Sequence, residues 1–283
     1  MSNGDRDQID LREAINAISD VIQNRPRPLR RFDQIYMKAA DMVLQSEFVA
    51  DWSRDRRLVF VGDGDSISVC VAYLKHRGIL TYGPSEIVVL DFDERIVSSI
   101  ERFAAGEEIT NLTARLYNCL DPIPEGLAKF DYFYSNPPWG ASNGGQSVNV
   151  FAQRGMELLE FDGSGLLVIA DRQEGMAWTE EVLSNVQRFA AESGFYVSQF
   201  IPRLHSYHLD DNPELRSCNL VIQSQPGNCG TKETSRIVDP ARLANFYGDG
   251  MEPTVRYVRE RKRVDYGRAH DDEYMLENLE DSK

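Results

Sequence analysis

Hydrophobic positions divide the chain into two helical stretches, a run of short apolar strands alternating with helices, and a polar tail. Leu11, Ala14, Ile15, Ile18, Val21 and Ile22 recur at the spacing of an amphipathic helix, which Pro26 and Pro28 end. Arg31 through Gln34 opens a second predicted helix running to about Val49, with Met37, Ala40, Leu44 and Phe48 on one face as a lid or packing surface. From Arg57 the pattern changes. Predicted strands at Leu58–Val61, Glu86–Asp91 and Leu116–Cys119, a fourth that opens the stretch Tyr132–Gly140 and runs into its polar turn, and a fifth at Gly165–Ala170 are separated by helical segments, and Phe195–Ile201 with Ser217–Gln223 add a late hairpin. Alternation of this kind implies an α/β fold, with a parallel sheet and a site at the carboxyl ends of its strands.

The expected organisation is a helical N-terminal arm and lid over residues 1–50, a Rossmann-like catalytic domain over 51–226, and a polar C-terminal extension over 227–283, in part disordered. That extension carries a basic cluster, Arg259–Arg263, and an acidic stretch, Asp271–Asp281. With 283 residues, 42% of them hydrophobic, the chain can bury one full core. No run approaches the roughly 18 apolar residues of a membrane span, and the N-terminus has no secretion-signal core, so a cytoplasmic protein is expected. Cys70, Cys119, Cys218 and Cys229 form no paired motif, and with four histidines no metal site is expected. A net charge of −14 weighs against nucleic acid and favours polycations such as spermidine. A homodimer is compatible with the sequence.

Candidate chemistry collects where strands end. The first strand runs into Gly62-Asp63-Gly64-Asp65, whose glycines permit a tight turn against a nucleoside. The second ends in Asp91, which can take both hydroxyls of a ribose. Asp93 and Glu94 follow, able either to contact substrate or to cap the next helix. Asn118 is placed to read an adenine edge. The fourth strand enters Asn136-Pro137-Pro138-Trp139, where a carboxamide oxygen and proline-flanked carbonyls can grip an amino group beside an aromatic plate. Gly140–Gln146 reads as a flexible lid, and Tyr207, His205 and His208 as substrate contacts from the loop between the last strands.

With Gly62-Asp63-Gly64-Asp65, Val89 through Arg95, Lys129-Phe130-Asp131 and Asn136-Pro137-Pro138 in register, the chain resembles the branched-chain polyamine synthases, the N4-bis(aminopropyl)spermidine synthases, over roughly residues 30–225. The resemblance implies a class I methyltransferase-like fold with a seven-stranded sheet, decarboxylated S-adenosylmethionine as aminopropyl donor, and a spermidine-type acceptor. It also implies that Asp65 is the catalytic residue, and it adds Gln34, in the entry segment Asp33-Gln34, to the substrate contacts. Two positions depart from the family's pattern: Gly64 stands for an aspartate, and Asn136 for the aspartate before the two prolines. The family's amino-terminal DNA-binding-like domain is expected to be replaced by the helical arm.

Asn-Pro-Pro-aromatic is also the signature of S-adenosylmethionine-dependent amino methyltransferases. Aminopropyl transfer, N-methyl transfer to an adenine or amide amino group, and a non-catalytic nucleoside-binding module therefore all stand at this point. Asp63 and Asp65 tilt the reading to the first, because they would repel the carboxylate of intact S-adenosylmethionine and welcome the ammonium of its decarboxylated form.

Overall fold

The computed structural model describes residues 9–127, 129–209, 213–248, 250–262 and 272–279. Asp210 and Asp211 of the expected loop, Arg263 of the basic cluster and both ends of the acidic stretch lie outside them. The elements in chain order are α1 (Leu11–Asn24), α2 (Ala39–Trp52), β1 (Arg57–Val61), α3 (Ile67–His76), β2 (Glu86–Asp91), α4 (Glu94–Gly106), β3 (Leu112–Leu116) and β4 (Tyr132–Ser135). They continue with α5 (Gln146–Leu158), β5 (Ser164–Ala170), α6 (Ala177–Glu192), β6 (Phe195–Ser206), β7 (Arg216–Ser224), α7 (Pro240–Leu243), β8 (Val255–Glu260) and β9 (Tyr274–Asn278).

Seven strands form one sheet in the order β3-β2-β1-β4-β5-β7-β6. Neighbours are parallel from β3 through β5, and β7 runs antiparallel to both β5 and β6. This is the class I methyltransferase-like, Rossmann-like arrangement. The strand order reverses between β1 and β4, and the crevice at their carboxyl ends is where such sheets take ligands. β5 is buried at every position, as a continuous apolar run with helices on both faces requires.

Several expectations change. The third strand is Leu112–Leu116, not 116–119, so Asn118 sits in the loop beyond it. The second helix starts only at Ala39, after a turn at Arg30–Phe32 and a single antiparallel bridge between Met37 and Tyr207. It buries Met42, Val43, Gln45, Ser46, Val49 and Ala50, whereas Leu44 is exposed. β6 continues through the expected loop to Ser206. Gly140–Gln146 is a pinned turn: Asn143 accepts from the Gln146 backbone and donates to Ser147 and Ala244, and Asn185 holds the Gly144 carbonyl.

The described part of 227–283 is not a loose appendage. Ile237, Leu243, Phe246, Tyr247, Val255 and Val258 are buried in the core on one face of the sheet. Arg154, fully buried beside Glu157, donates to the carbonyls of Cys119 and Leu120 and to those of Glu233 and Ser235, tying this segment to α5. Polar residues dilute these anchors in the sequence, so periodicity does not reveal them. No helix among the described residues is long and apolar enough to cross a membrane.

Candidate active site

At the end of β1 the chain turns through Gly62 at φ +77°, where a side chain would also press on the Phe151 ring at 3.3 Å. The Gly62 and Asp63 amides donate to the Leu90 carbonyl and to Asp91 Oδ2, which ties the turn to the end of β2. The Asp93 amide donates to Asp91 Oδ1. Each Asp91 oxygen thus holds one backbone N–H and keeps a lone pair for another donor. Burial, reinforced by the neighbouring Asp93 charge, raises its carboxyl to about 7.

Asp63 faces the cavity, but its oxygens accept from the Ile67 and Ser68 amides and the Ser68 hydroxyl, so it caps the start of α3 instead of reaching for a ligand. Asp93 is corrected likewise. It is fully buried, gripped through both oxygens by Arg95 and reached by Gln34 Nε2, and it does not line the cavity. Gln34 lines the cavity with its amide spent on Leu29 and Asp93. Asn118 lines it too, yet its carboxamide donates to the Arg256 carbonyl and accepts from the Leu120 amide, which leaves little of it to read a base edge.

Asp65 and Asn136 meet directly. Asn136 Nδ2 donates to Asp65 Oδ2 at 2.7 Å, and the Met37 amide donates to Asp65 Oδ1 at 2.6 Å. Burial raises the Asp65 carboxyl, opposed by Arg25, by the Met37 and Asn136 hydrogen bonds and by His208. Arg25 reaches the Asp65 carbonyl at 3.1 Å and stacks 4.0 Å over the Tyr36 ring. Trp139 Nε1 donates to the Val168 carbonyl at 3.2 Å, and its ring meets Tyr207 edge-on at 5.1 Å.

These groups surround a cavity of about 310 Å³ whose wall includes Gly62, Gly64, Asp65, Asp91, Asn136, Pro137, Trp139 and Tyr207. His205 does not reach it: the ring is buried between Ser217 and Gln45. His208 is exposed and outside the wall. Asp33 is the residue that sequence reasoning passed over. Held in a left-handed turn at φ 56°, it lines the cavity, and burial lifts its carboxyl to about 6. The Asp33-Gln34 segment was the available signal, and the conspicuous residue of the pair is the one with structural work. Tyr247, from the tail, completes the wall and packs edge-on against Phe32 at 5.3 Å, with no local sequence signal to mark it.

A family model of the branched-chain polyamine synthase A C-terminal domain matches residues 13–282. The chain belongs to this family. It is 28% identical over 202 residues to an N(4)-bis(aminopropyl)spermidine synthase of Thermococcus kodakarensis, covering 69% of this chain and 53% of that protein. It is 27% identical over 190 residues to the Thermus thermophilus enzyme of the same name, covering 65% and 50%. The chain thus spans about half the length of these curated relatives. The crystal structure of a Thermus thermophilus branched-chain polyamine synthase, in complex with N4-aminopropylspermidine and 5′-methylthioadenosine, superposes with a TM-score of 0.66 at 21% identity, over 81% of this chain and 67% of that one.

Proposed function

We propose that the chain transfers an aminopropyl group from decarboxylated S-adenosylmethionine to an amino nitrogen of a spermidine-like polyamine. The observation that carries this is the charge of the cavity wall: Asp33, Asp63, Asp65 and Asp91 face it, with Arg30 as the only cation there among the described residues. At an effective dielectric of about 20, one uncompensated charge at about 4 Å is worth about 4 kcal/mol, enough to favour an ammonium over a carboxylate at the same place. The names of the relatives point the same way.

In this reading Asp91 takes the donor ribose hydroxyls on its remaining lone pairs. The acceptor nitrogen sits between Asp65 and the carboxamide oxygen of Asn136, against Trp139. Its lone pair attacks the aminopropyl carbon on the sulfonium, the N–C bond forms as the C–S bond breaks, and 5′-methylthioadenosine leaves. The proton shed by the nitrogen passes to Asp65, directly or through water. Burial makes Asp65 a stronger base than an exposed aspartate, which suits that role.

N-methyl transfer is the second reading, favoured by Asn136 where the family carries aspartate. Incubating the chain with spermidine and either intact or decarboxylated S-adenosylmethionine, then weighing the product, separates the two. Aminopropylated spermidine formed only from the decarboxylated donor is the expected result. A methylated amine, or equal binding of both donors, would overturn it.

A further inference from the structure

The transfer step leaves one charged neighbour of Asp65 without a role. The Asp65 carboxylate is taken by the Met37 amide and by Asn136, and its backbone carbonyl accepts from a third donor, Arg25 Nη1, at 3.1 Å. Arg25 caps the carboxyl end of α1, its amide donating to the Val21 carbonyl. Its guanidinium lies 4.0 Å over the Tyr36 ring, and Nη1 also lies 3.7 Å from Met42 Sδ. The Tyr36 hydroxyl donates to the Pro26 carbonyl at 2.8 Å, so ring and chain brace each other. Tyr36 and Asp65 line the cavity and Arg25 does not, so the guanidinium stands behind the wall, half-buried.

Among the described residues Arg25 forms no ion pair, so its charge is not spent on another carboxylate. The bond to the Asp65 carbonyl sets that charge a few covalent bonds from the Asp65 carboxylate, and Asp65 itself is buried, where solvent screens little. A cation at that range favours the ionised carboxyl. Burial pulls the other way, and Arg25 is the strongest of the groups that offset it. The remaining groups around Asp65 cannot replace it. Asp63 in the same turn, with Asp33 and Asp91 on the wall, carries like charge and opposes ionisation. Arg30 on the wall and His208 beyond β6 are exposed, so solvent screens them. Tyr36, Tyr134, Tyr207 and Cys70 keep their protons, because burial raises each of them.

We infer that Arg25 is a positioning residue: from the end of α1 it holds the Asp65 turn by its carbonyl and lends the positive charge that keeps the Asp65 carboxylate free to take the amine's proton. Its effect on rate rests on the aminopropyl-transfer reading, whereas the coupling of the two charges does not. Because Arg25 stands outside the cavity wall, its loss should appear in the pH dependence of kcat and should not raise the KM for spermidine.

The test reads Asp65 directly and through the rate. At an effective dielectric of about 20, a full charge about 6 Å away displaces a titration by about two pH units, and partial exposure brings that toward one. In the ligand-free, ¹³C-labelled chain the Asp65 carboxyl signal is identified by its loss in Asp65→Asn. It should titrate about one pH unit higher in Arg25→Met, which keeps the length of the side chain without its charge, and stay near its original position in Arg25→Lys. The acid limb of kcat should move with it, so that Arg25→Met loses up to about tenfold on that limb and regains the unaltered rate on the alkaline plateau. Arg25→Gln, which keeps a donor for the Asp65 carbonyl but no charge, should behave like Arg25→Met and serves where that variant does not fold. An unmoved Asp65 signal in a folded uncharged variant, or a kcat loss equal at every pH as a packing defect would give, would overturn the inference. If the unaltered chain transfers nothing to spermidine, the transfer reading fails separately, and the carboxyl titration still decides the role of Arg25.

Discussion

Replacing Asp91 with asparagine should flatten the pH dependence of the ligand-free chain's stability. The carboxyl releases its proton near 3.8 when the chain is unfolded but only at about 7 when folded, because burial and the Asp93 charge oppose ionisation. Between those values the folded chain binds more protons than the unfolded one, so stability is full below the lower value and declines as pH rises through the higher. The whole gap corresponds to about 4 kcal/mol, an upper bound because neighbouring carboxyls share in it. Asparagine cannot ionise. It does set its amide nitrogen against the Asp63 or Asp93 N–H, at a cost of about 1–3 kcal/mol, but that penalty is the same at every pH. Urea denaturation at about pH 5 and about pH 8 isolates the ionisation: the unaltered chain should lose about 3 kcal/mol more between them than Asp91→Asn does. Equal losses would refute the assignment of a strained carboxylate at the end of β2. The same variant should lose its affinity for 5′-methylthioadenosine, because the proposed reading places the donor ribose on Asp91; unchanged affinity in a folded variant removes that role.

Asp65→Asn should slow turnover by about 10² to 10⁴, and raising the pH should partly restore the rate, because more amine then arrives neutral; a fully active variant removes the base assignment. Asn136→Asp places a second carboxyl 2.7 Å from Asp65, so the pair should share a proton and the acid limb of the rate profile should move to higher pH, read from kcat against pH. Asp33→Ala should raise the KM for spermidine and reduce its salt dependence while leaving kcat for saturating amine nearly unchanged; an unaltered KM removes Asp33 from the acceptor site. Phe246→Ala should destabilise the fold by about 3–5 kcal/mol in chemical denaturation, as expected for a fully buried aromatic, whereas a disposable tail would show no change.

The central strands were legible because each is a short apolar run ending in chemistry, and β2 and β4 occupy the positions expected of them. β3 was misplaced because it is an edge strand that alternates Leu112, Thr113, Ala114 and Arg115, while the more apolar Tyr117 and Cys119 are buried in the loop after it. The α2 face was misread for a different reason: it buries Gln45, which bonds to His205 and Asn219, and Ser46, so its inner stripe has no apolar period. Asp63 and Asp93 show the limit of motif reading at a site. An aspartate after a strand and before a helix looks the same whether it awaits a ligand or caps the helix, and only its hydrogen-bond partners decide. Asp65 and Asp91 sit in the same kind of turn and keep their exposure to the cavity.

Phe32 and Tyr247 meet on the cavity wall from distant parts of the chain. During synthesis, a nascent chain can have built β1 through β7 and still lack Tyr247 and the aromatic packing that holds Phe32. In the proposed reading, donor binding should then arise late, only after the segment beyond β7 has left the ribosome and folded back. On that reading, a translation product cut short before Tyr247 would hold the nucleoside poorly, so ligand binding would double as a report that the segment beyond β7 has docked.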